Sequence, residues 1–509
     1  MLASKKIIMW KLAVFLLGAT VGFADKGSEA VAVDPPKVDA NLVTTVEDVK
    51  EATQLAEAID SNDTNLVAVA IAQNKTNIVE AARAISETNF VASVKADEDA
   101  GSWESIFSKE NRSRMQVNFY LKDGLYYELK RDNPSDKNVL KSIFSEKRRI
   151  TGRVGAKVHI DAGGFHSGGD MPDVNHNSTT RRIRLSTYGR TYLFRPLTYG
   201  VEYGVSNGDY SFSNGYLWFH EIPYVNSLKV GLFKAPMSLE YMQSSSSTLL
   251  MERAAPVGAF VPGERLGFQI GGQLYEGKGT LLGGFFGQTA DDKDGDTSDS
   301  YSRFVSRGTW LVMDRPESKE LVHLGISSGF QFSQGDGTRY RARPGSYLAP
   351  HLVDTGELGG DQAFTYALEA AWAKGPFTVQ GEFFNAFADD EADDTHDFFG
   401  GYIMGSVFLT GDSRPYNRSN GTFGRVKLKR KFSFKDRHLG ALELTARASY
   451  IDLTDGAVQG GKMSVLSTGF NCYLTQQNRL MLVLGGANVD KPDSNGELYF
   501  VQTRFQVEF

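Results

Sequence analysis

The sequence predicts an all-β transmembrane barrel of sixteen antiparallel strands, preceded by a mainly helical periplasmic extension. Three observations predict it: a secretion signal at the start, segments of about ten residues with alternating polarity from residue 151 onward, and a last strand ending on phenylalanine.

The signal comes first. Lys5, Lys6 and Lys11 precede the apolar run 12–23, and Gly22 and Ala24 supply the small residues of a cleavage site, so residues 1–24 read as a signal peptide and the mature chain is expected from Asp25. The apolar run is too short for a membrane-spanning helix. Composition then favours one large closed sheet: 53 glycines, 12% aromatic residues and only 15 prolines suit strands. A mean hydropathy of -0.30 fits a barrel, because only alternate strand residues meet lipid. The formal charge is -6, and removing the signal with its three lysines and no acids makes it -9. Nucleic acid is therefore not an expected partner, and any anion preference must come from locally clustered basic residues. A single cysteine, Cys472, excludes an intramolecular disulfide and Cys-rich metal sites.

Residues 25–110 differ from the rest, with an imperfect twelve-residue repeat at Thr64-Asn65-Leu66-Val67, Thr76-Asn77-Ile78-Val79 and Thr88-Asn89-Phe90-Val91. Apolar residues at helical spacing in 78–85, with Thr or Asn available as caps, predict short helices; a disordered acidic linker is the alternative. This extension is expected to be periplasmic and dispensable for barrel insertion. Residues 111–150 read as a linker and lead-in, and 151–509 as the barrel.

Within the barrel region the last strand is clearest. Tyr499, Val501, Thr503, Phe505, Val507 and Phe509 form one face, and Gln502, Arg504, Gln506 and Glu508 the other, as lipid outside and water inside require. The same pattern gives seventeen candidates: 152–165, 181–194, 197–206, 214–222, 227–235, 266–276, 278–288, 302–313, 320–332, 362–374, 376–386, 398–410, 422–432, 439–450, 463–474, 478–489 and 497–509. A bacterial single-chain barrel needs an even number, with short turns on the periplasmic side and long loops outside. The connections 236–265, 289–301, 333–361 and 387–397 are long, and keeping 422–432 would put the tight Gln476-Gln477 turn outside. That segment also sets Arg430 on one face with Val426 and Leu428. It is therefore assigned to a long periplasmic turn, leaving sixteen strands, with the one near Gly155 closing against the one ending at Phe509.

The long third outward connection, 236–265, has no alternation and must fold somewhere. Its stretch 244–253 (SSSSTLLMER) resembles the third loop of the phosphate-selective porin O and P family. Similarity extends to Thr180-Arg181-Arg182 with Leu185, Leu228-Lys229-Val230-Gly231, Gly263-Glu264-Arg265-Leu266-Gly267, Val322-His323-Leu324-Gly325 and Glu369-Ala370-Ala371-Trp372, with Asp123-Gly124-Leu125 near its start. The resemblance implies a homotrimer of sixteen-stranded outer-membrane pores, each narrowed by its third loop, in which basic side chains strip water from an anion such as phosphate and rebind it. By that resemblance Arg253 matches the third-loop arginine, Arg181 and Arg182 the paired arginines of the second strand, and Lys427 lies near the lysine of a basic periplasmic turn. The sequence departs at Ser247 and Thr198, hydroxyls where the family pattern has cations.

Physically, guanidinium and ammonium donors offset the desolvation of an oxyanion. Arg182, Arg184 and Arg190 share one face of their strand, opposite Ile183, Leu185 and Gly189, so they are expected to face the lumen. The expected anion pathway is Arg181, Arg182, Arg184, Arg253, Arg265 and Lys427, with no metal, cofactor or catalytic residue. An ordinary solvated barrel wall would carry arginines too. Arg339, Arg341 and Arg343 could recruit anions or balance acidic loops. The acidic runs 291–299 and 389–394 resemble calcium ligands without full EF-hand spacing, and read as exposed loops that divalent ions could bridge to lipopolysaccharide. No hydrolase elbow is present. The alternative to an anion channel is a general low-specificity porin whose amino-terminal helices tether the envelope.

Overall fold

The computed structural model describes residues 115–121, 124–131, 150–206, 209–287, 302–333, 337–492 and 495–509. The predicted signal peptide, the predicted helices of 25–110 and the acidic run 291–299 lie outside the described residues. A hairpin, β1 (Met115–Leu121) and β2 (Leu125–Arg131), precedes the barrel strands. The first seven of these are β3 (Ile150–Gly169), β4 (Asn177–Tyr192), β5 (Pro196–Ser206), β6 (Asp209–Ile222), β7 (Asn226–Lys234), β8 (Glu264–Leu274) and β9 (Gly279–Phe286). There follow β10 (Ser302–Arg315), β11 (Glu320–Phe332), β12 (Gly359–Lys374), β13 (Phe377–Asp390) and β14 (Thr395–Phe408). The last are β15 (Ala441–Asp455), β16 (Val458–Tyr473), β17 (Asn478–Asp490) and β18 (Gly496–Glu508).

Each of β3 to β18 pairs antiparallel with the next, and β18 pairs back onto β3, with Gln506 opposite His159 and Val501 opposite Gly164. The seam ends where Ala156 and Phe509 exchange two backbone hydrogen bonds of 3.0 Å. This is the closed sixteen-stranded ring expected from the parity of the connections. Segment 422–432 holds no barrel strand: its strand residues are Thr422–Phe423 and Phe432, each part of a two-residue strand outside the barrel sheet. Val426 instead buries itself against Phe408, Ala441 and Tyr473, with Leu428 beside them, while Arg430 stays exposed. One expectation fails. The connection 387–397 is not a long loop, because β13 and β14 stay paired to Asp389 opposite Thr395 and leave only a short acidic turn.

Side chains sort by face as alternation dictates. On β18 Tyr499, Val501 and Phe505 are exposed, whereas Gln502, Arg504 and Gln506 are buried. A water-filled lumen would leave those polar residues solvated. They are covered because the third outer loop folds back onto Arg504 and Gln506, and Gly345 of the connection after β11 meets Gln502. The lead-in also holds more structure than a linker: β2 pairs with β3 from Leu125 opposite Val154 to Leu129 opposite Ile150, beyond the end of β18. There Tyr127 lies where a Cβ on Gly152 would come within 2.3 Å of its ring, and its hydroxyl meets that of Tyr199 at 2.5 Å.

Candidate functional site

The site begins with an irregularity in β4. Pairing with β3 runs to Arg182 opposite His159 and resumes at Thr180 opposite Ile160, so Arg181 is an extra residue. A bulge of this kind re-aims a side chain out of strict alternation. Arg181 and Arg182 are both 8% exposed, while Ile183 and Leu185 on the outer face are 42% and 62% exposed. Both arginines of the pair therefore point inward, where alternation alone accounts for one.

Arg181 forks onto Glu252 of the third loop, Nε to Oε1 at 3.1 Å and Nη2 to Oε2 at 3.3 Å, and lies 3.7 Å over the Tyr347 ring. Arg504 of β18 also donates to Glu252 Oε1, at 2.7 Å, holds Asp161 with two bonds of 2.6 Å and donates to the Met251 carbonyl at 2.7 Å. Burial by itself would raise the Glu252 carboxyl, but Arg181, Arg504 and Arg182 hold it well below its ordinary value of 4.5.

The rest of the loop is clamped in the same way. Two short helices, α1 (Leu239–Met242) and α2 (Ala255–Phe260), carry its turns. At α1 Glu382 of β13 receives the Ser238 hydroxyl and the backbone N–H groups of Leu239 and Glu240 at 2.8–3.1 Å. Further along, Ser247 is held by Arg414, Thr248 by Arg479, Leu249 by Asn471 and Glu252 by Arg447, each through its carbonyl at 2.9 Å. Lys234 and Arg253 both donate to the carbonyl of Tyr241, at 2.7 and 3.2 Å. The loop thus lies inside the barrel, against the inner faces of β4, β13 and β15 to β18. A second segment enters from the 409–440 turn, where fully buried Arg307 pairs with Glu369 and donates to the carbonyls of Asn420 and Gly421 at 2.7 and 2.9 Å.

Between these inserts and the wall from β3 to β9 lies a cavity of about 640 Å³. It brings together Arg182, Arg184 and Arg253 of the expected pathway and adds Lys157, Lys229, Lys234 and Arg425, against the carboxylates Glu202, Glu264 and Glu508. Glu202 is taken by Arg184 at 2.6 Å, Glu508 by Arg425, and Glu264 accepts from the Tyr241 hydroxyl at 2.7 Å. Arg182 is different: its buried Nε has no hydrogen-bond partner. An oxyanion entering here would exchange water for N–H donors, several of them already held in place.

The family model described as phosphate-selective porin O and P matches residues 153–509. The chain belongs to that family. It is accordingly a porin of the bacterial outer membrane. Porin O of Pseudomonas aeruginosa is 25% identical over 389 residues, 68% of this chain and 84% of its own length. An uncharacterised protein of Caulobacter vibrioides is 29% identical over 316 residues, 60% of this chain, and the match spans only 62% of that relative. Among solved structures, the anion-selective porin from Comamonas acidovorans gives a TM-score of 0.45 at 11% identity, covering 71% of this chain and 100% of that one.

Three residues expected on the pathway of this porin do not line the cavity. Arg181 is engaged by Glu252 and Tyr347, and Arg265 donates to the Pro262 carbonyl at 2.9 Å at the foot of the loop. Lys427 is exposed and borders a separate recess with Tyr416 and Arg418, while Arg425, two residues earlier, reaches the lumen. Of the outer-loop arginines, Arg339 is paired with Asp354 at 2.7 Å and Glu357 at 3.3 Å, and Arg343 is tied to the carbonyls of Tyr347 and Ala349. Of the two departures from the family pattern, Ser247 lines the cavity and the Thr198 hydroxyl is engaged by His220 at 2.8 Å.

Proposed function

We propose that this porin passes small anions, phosphate or similar oxyanions among them, by passive diffusion through a lumen narrowed by its third loop. The observation that carries the reading is the make-up of the cavity: seven basic side chains against three carboxylates, each of which is already engaged by the protein. The lumen is then locally positive although the chain is acidic overall. Arg182, Arg184 and Arg253 attract and orient the anion; Arg181 and Arg265 act by holding the third loop, and Lys427 adds charge at the periplasmic mouth. The family resemblance supports a homotrimer, and the acidic runs 291–299 and 389–394 would meet lipopolysaccharide through divalent ions. Residues 1–24 act as the signal peptide and 25–110 as a periplasmic extension.

Phosphate binding is weaker than in the family's phosphate-specific members. Ser247 and Thr198 supply no charge, and a hydrogen bond to a charged group contributes only about 1.5–3 kcal/mol. A multiply charged ion suffers more from the missing cations than chloride does, because its desolvation costs more. The test is block of chloride current by phosphate in planar bilayers, native against a Ser247→Lys, Thr198→Lys double variant. Tighter block in the variant is expected. Block of the native pore at roughly micromolar phosphate, about -8 kcal/mol of binding, unchanged in the variant, would contradict it. The carboxylates in the cavity favour a second reading, a general porin of low specificity, which a zero-current potential near zero in a salt gradient would establish.

A further inference from the structure

We propose that Glu202 is a specificity-determining residue that acts as a tethered competitor, occupying with its own carboxylate a place where a permeating oxyanion would otherwise bind. The proposal rests on the reading of the pore as anion-conducting. Glu202 stands on β5 and is 4% exposed, yet it borders the lumen cavity. Three donors from two other strands converge on it: Arg184 Nη1 at 2.6 Å, the Tyr188 hydroxyl at 3.1 Å and Lys157 Nζ at 3.8 Å. Each of the three borders the same cavity, as does Arg182 on the same face of β4. A guanidinium, an ammonium and a phenol around one acceptor group form the donor set that an oxyanion seeks.

Here the acceptor is part of the wall. A covalently held carboxylate competes at a high effective concentration and cannot diffuse away. It keeps Arg184 and Lys157 ordered and partly neutralised, so that a mobile anion meets them as a weak site and leaves quickly. Arg182, which borders the cavity and whose buried Nε has no protein partner, is not claimed by such a carboxylate and keeps its charge for the passing ion. Conduction needs sites weak enough to leave as well as to enter.

The experiment compares Glu202→Gln with Glu264→Gln, using inorganic phosphate as blocker of chloride current through the full-length, membrane-inserted porin. Glu264 borders the same cavity but accepts from Tyr241 rather than from the converging trio. Both variants remove one negative charge from the lumen; only the first vacates the trio. Glu202→Gln is expected to tighten phosphate block about tenfold, the scale of one like charge removed at a partly solvated site, and Glu264→Gln much less. Equal effects would reduce the result to net charge, and no effect at Glu202 would overturn the proposal outright. If Glu202→Gln fails to insert, Glu202→Asp, whose shorter carboxylate withdraws from Arg184, should give a smaller tightening, and no shift there overturns the proposal as well. The zero-current potential of the native pore, recorded in the same bilayers, keeps the two claims apart. A cation-selective native pore sinks the anion reading itself, whereas an anion-selective pore indifferent to Glu202→Gln sinks only the competitor.

Discussion

Arg182 and Arg504 are both buried arginines on the inner face of the barrel, and they do different work. Arg504 spends its donors on Asp161, Glu252 and the Met251 carbonyl, whereas the Nε of Arg182 stays unpartnered at the cavity wall. Replacing Arg182 with Gln should therefore lower the chloride-over-potassium permeability ratio by about threefold, a partly screened single charge, without changing heat-modifiability. A ratio unchanged by the substitution would remove Arg182 from the pathway. Glu252 gives a pH prediction. Its carboxyl sits well below 4.5 in the folded protein, so its contribution is present above that ordinary value and is lost as pH falls through its own lower one. Single-channel conductance at fixed salt should hold steady from neutral pH to about pH 5 and become noisy only in stronger acid; a transition between pH 5 and 7 would show that Glu252 is not the group whose titration releases the loop. At this scale the sequence is only partly legible. Arg182 and Arg184 follow from alternation, and Lys157 and Lys229, placed between apolar neighbours, could have been found the same way. The inward turn of Arg181 could not, because a bulge shows only in the pairing with a partner strand.

The strands were legible because each carries its own lipid face, and sixteen of seventeen candidates correspond to barrel strands. The rejected one, 422–432, fell to a long-range condition, the side on which the turns must lie. Its Val426 and Leu428 turn out to pack within the barrel's inner-end cluster. What local pattern could not give was where pairing stops, so β13 and β14 run on through an acidic stretch that reads as a loop. Asp123-Gly124 between two runs of strand-forming residues is a turn signal for the hairpin of β1 and β2, and it coincides with the start of the family resemblance. The path of the third loop had no local signal, since it is decided by wall residues more than a hundred positions away, such as Arg447 and Arg504. Those residues predict its behaviour. Arg504→Met strands the Asp161 charge and leaves Glu252 to Arg181, and breaking a buried pair costs about 3–5 kcal/mol. The variant should unfold at a lower temperature in a heat-modifiability gel and show a larger, less steady conductance than the native pore. Native-like values in both measurements would mean that the loop is held elsewhere.

For the whole molecule, the ring from β3 to β18 closes on its own residues, with Ala156 and Phe509 sealing the seam. A chain lacking residues 25–110 but keeping its signal should therefore still insert as a heat-modifiable barrel, and loss of insertion would show that the extension takes part in assembly. The account's central claim concerns charge: a chain of net charge -6 builds a lumen in which cations outnumber carboxylates beside the third loop. The zero-current potential of the native pore across a tenfold potassium chloride gradient, about 59 mV in magnitude for a perfectly selective pore, tests this most directly. The account predicts a potential of the sign set by chloride, and a potential of the sign set by potassium would contradict it.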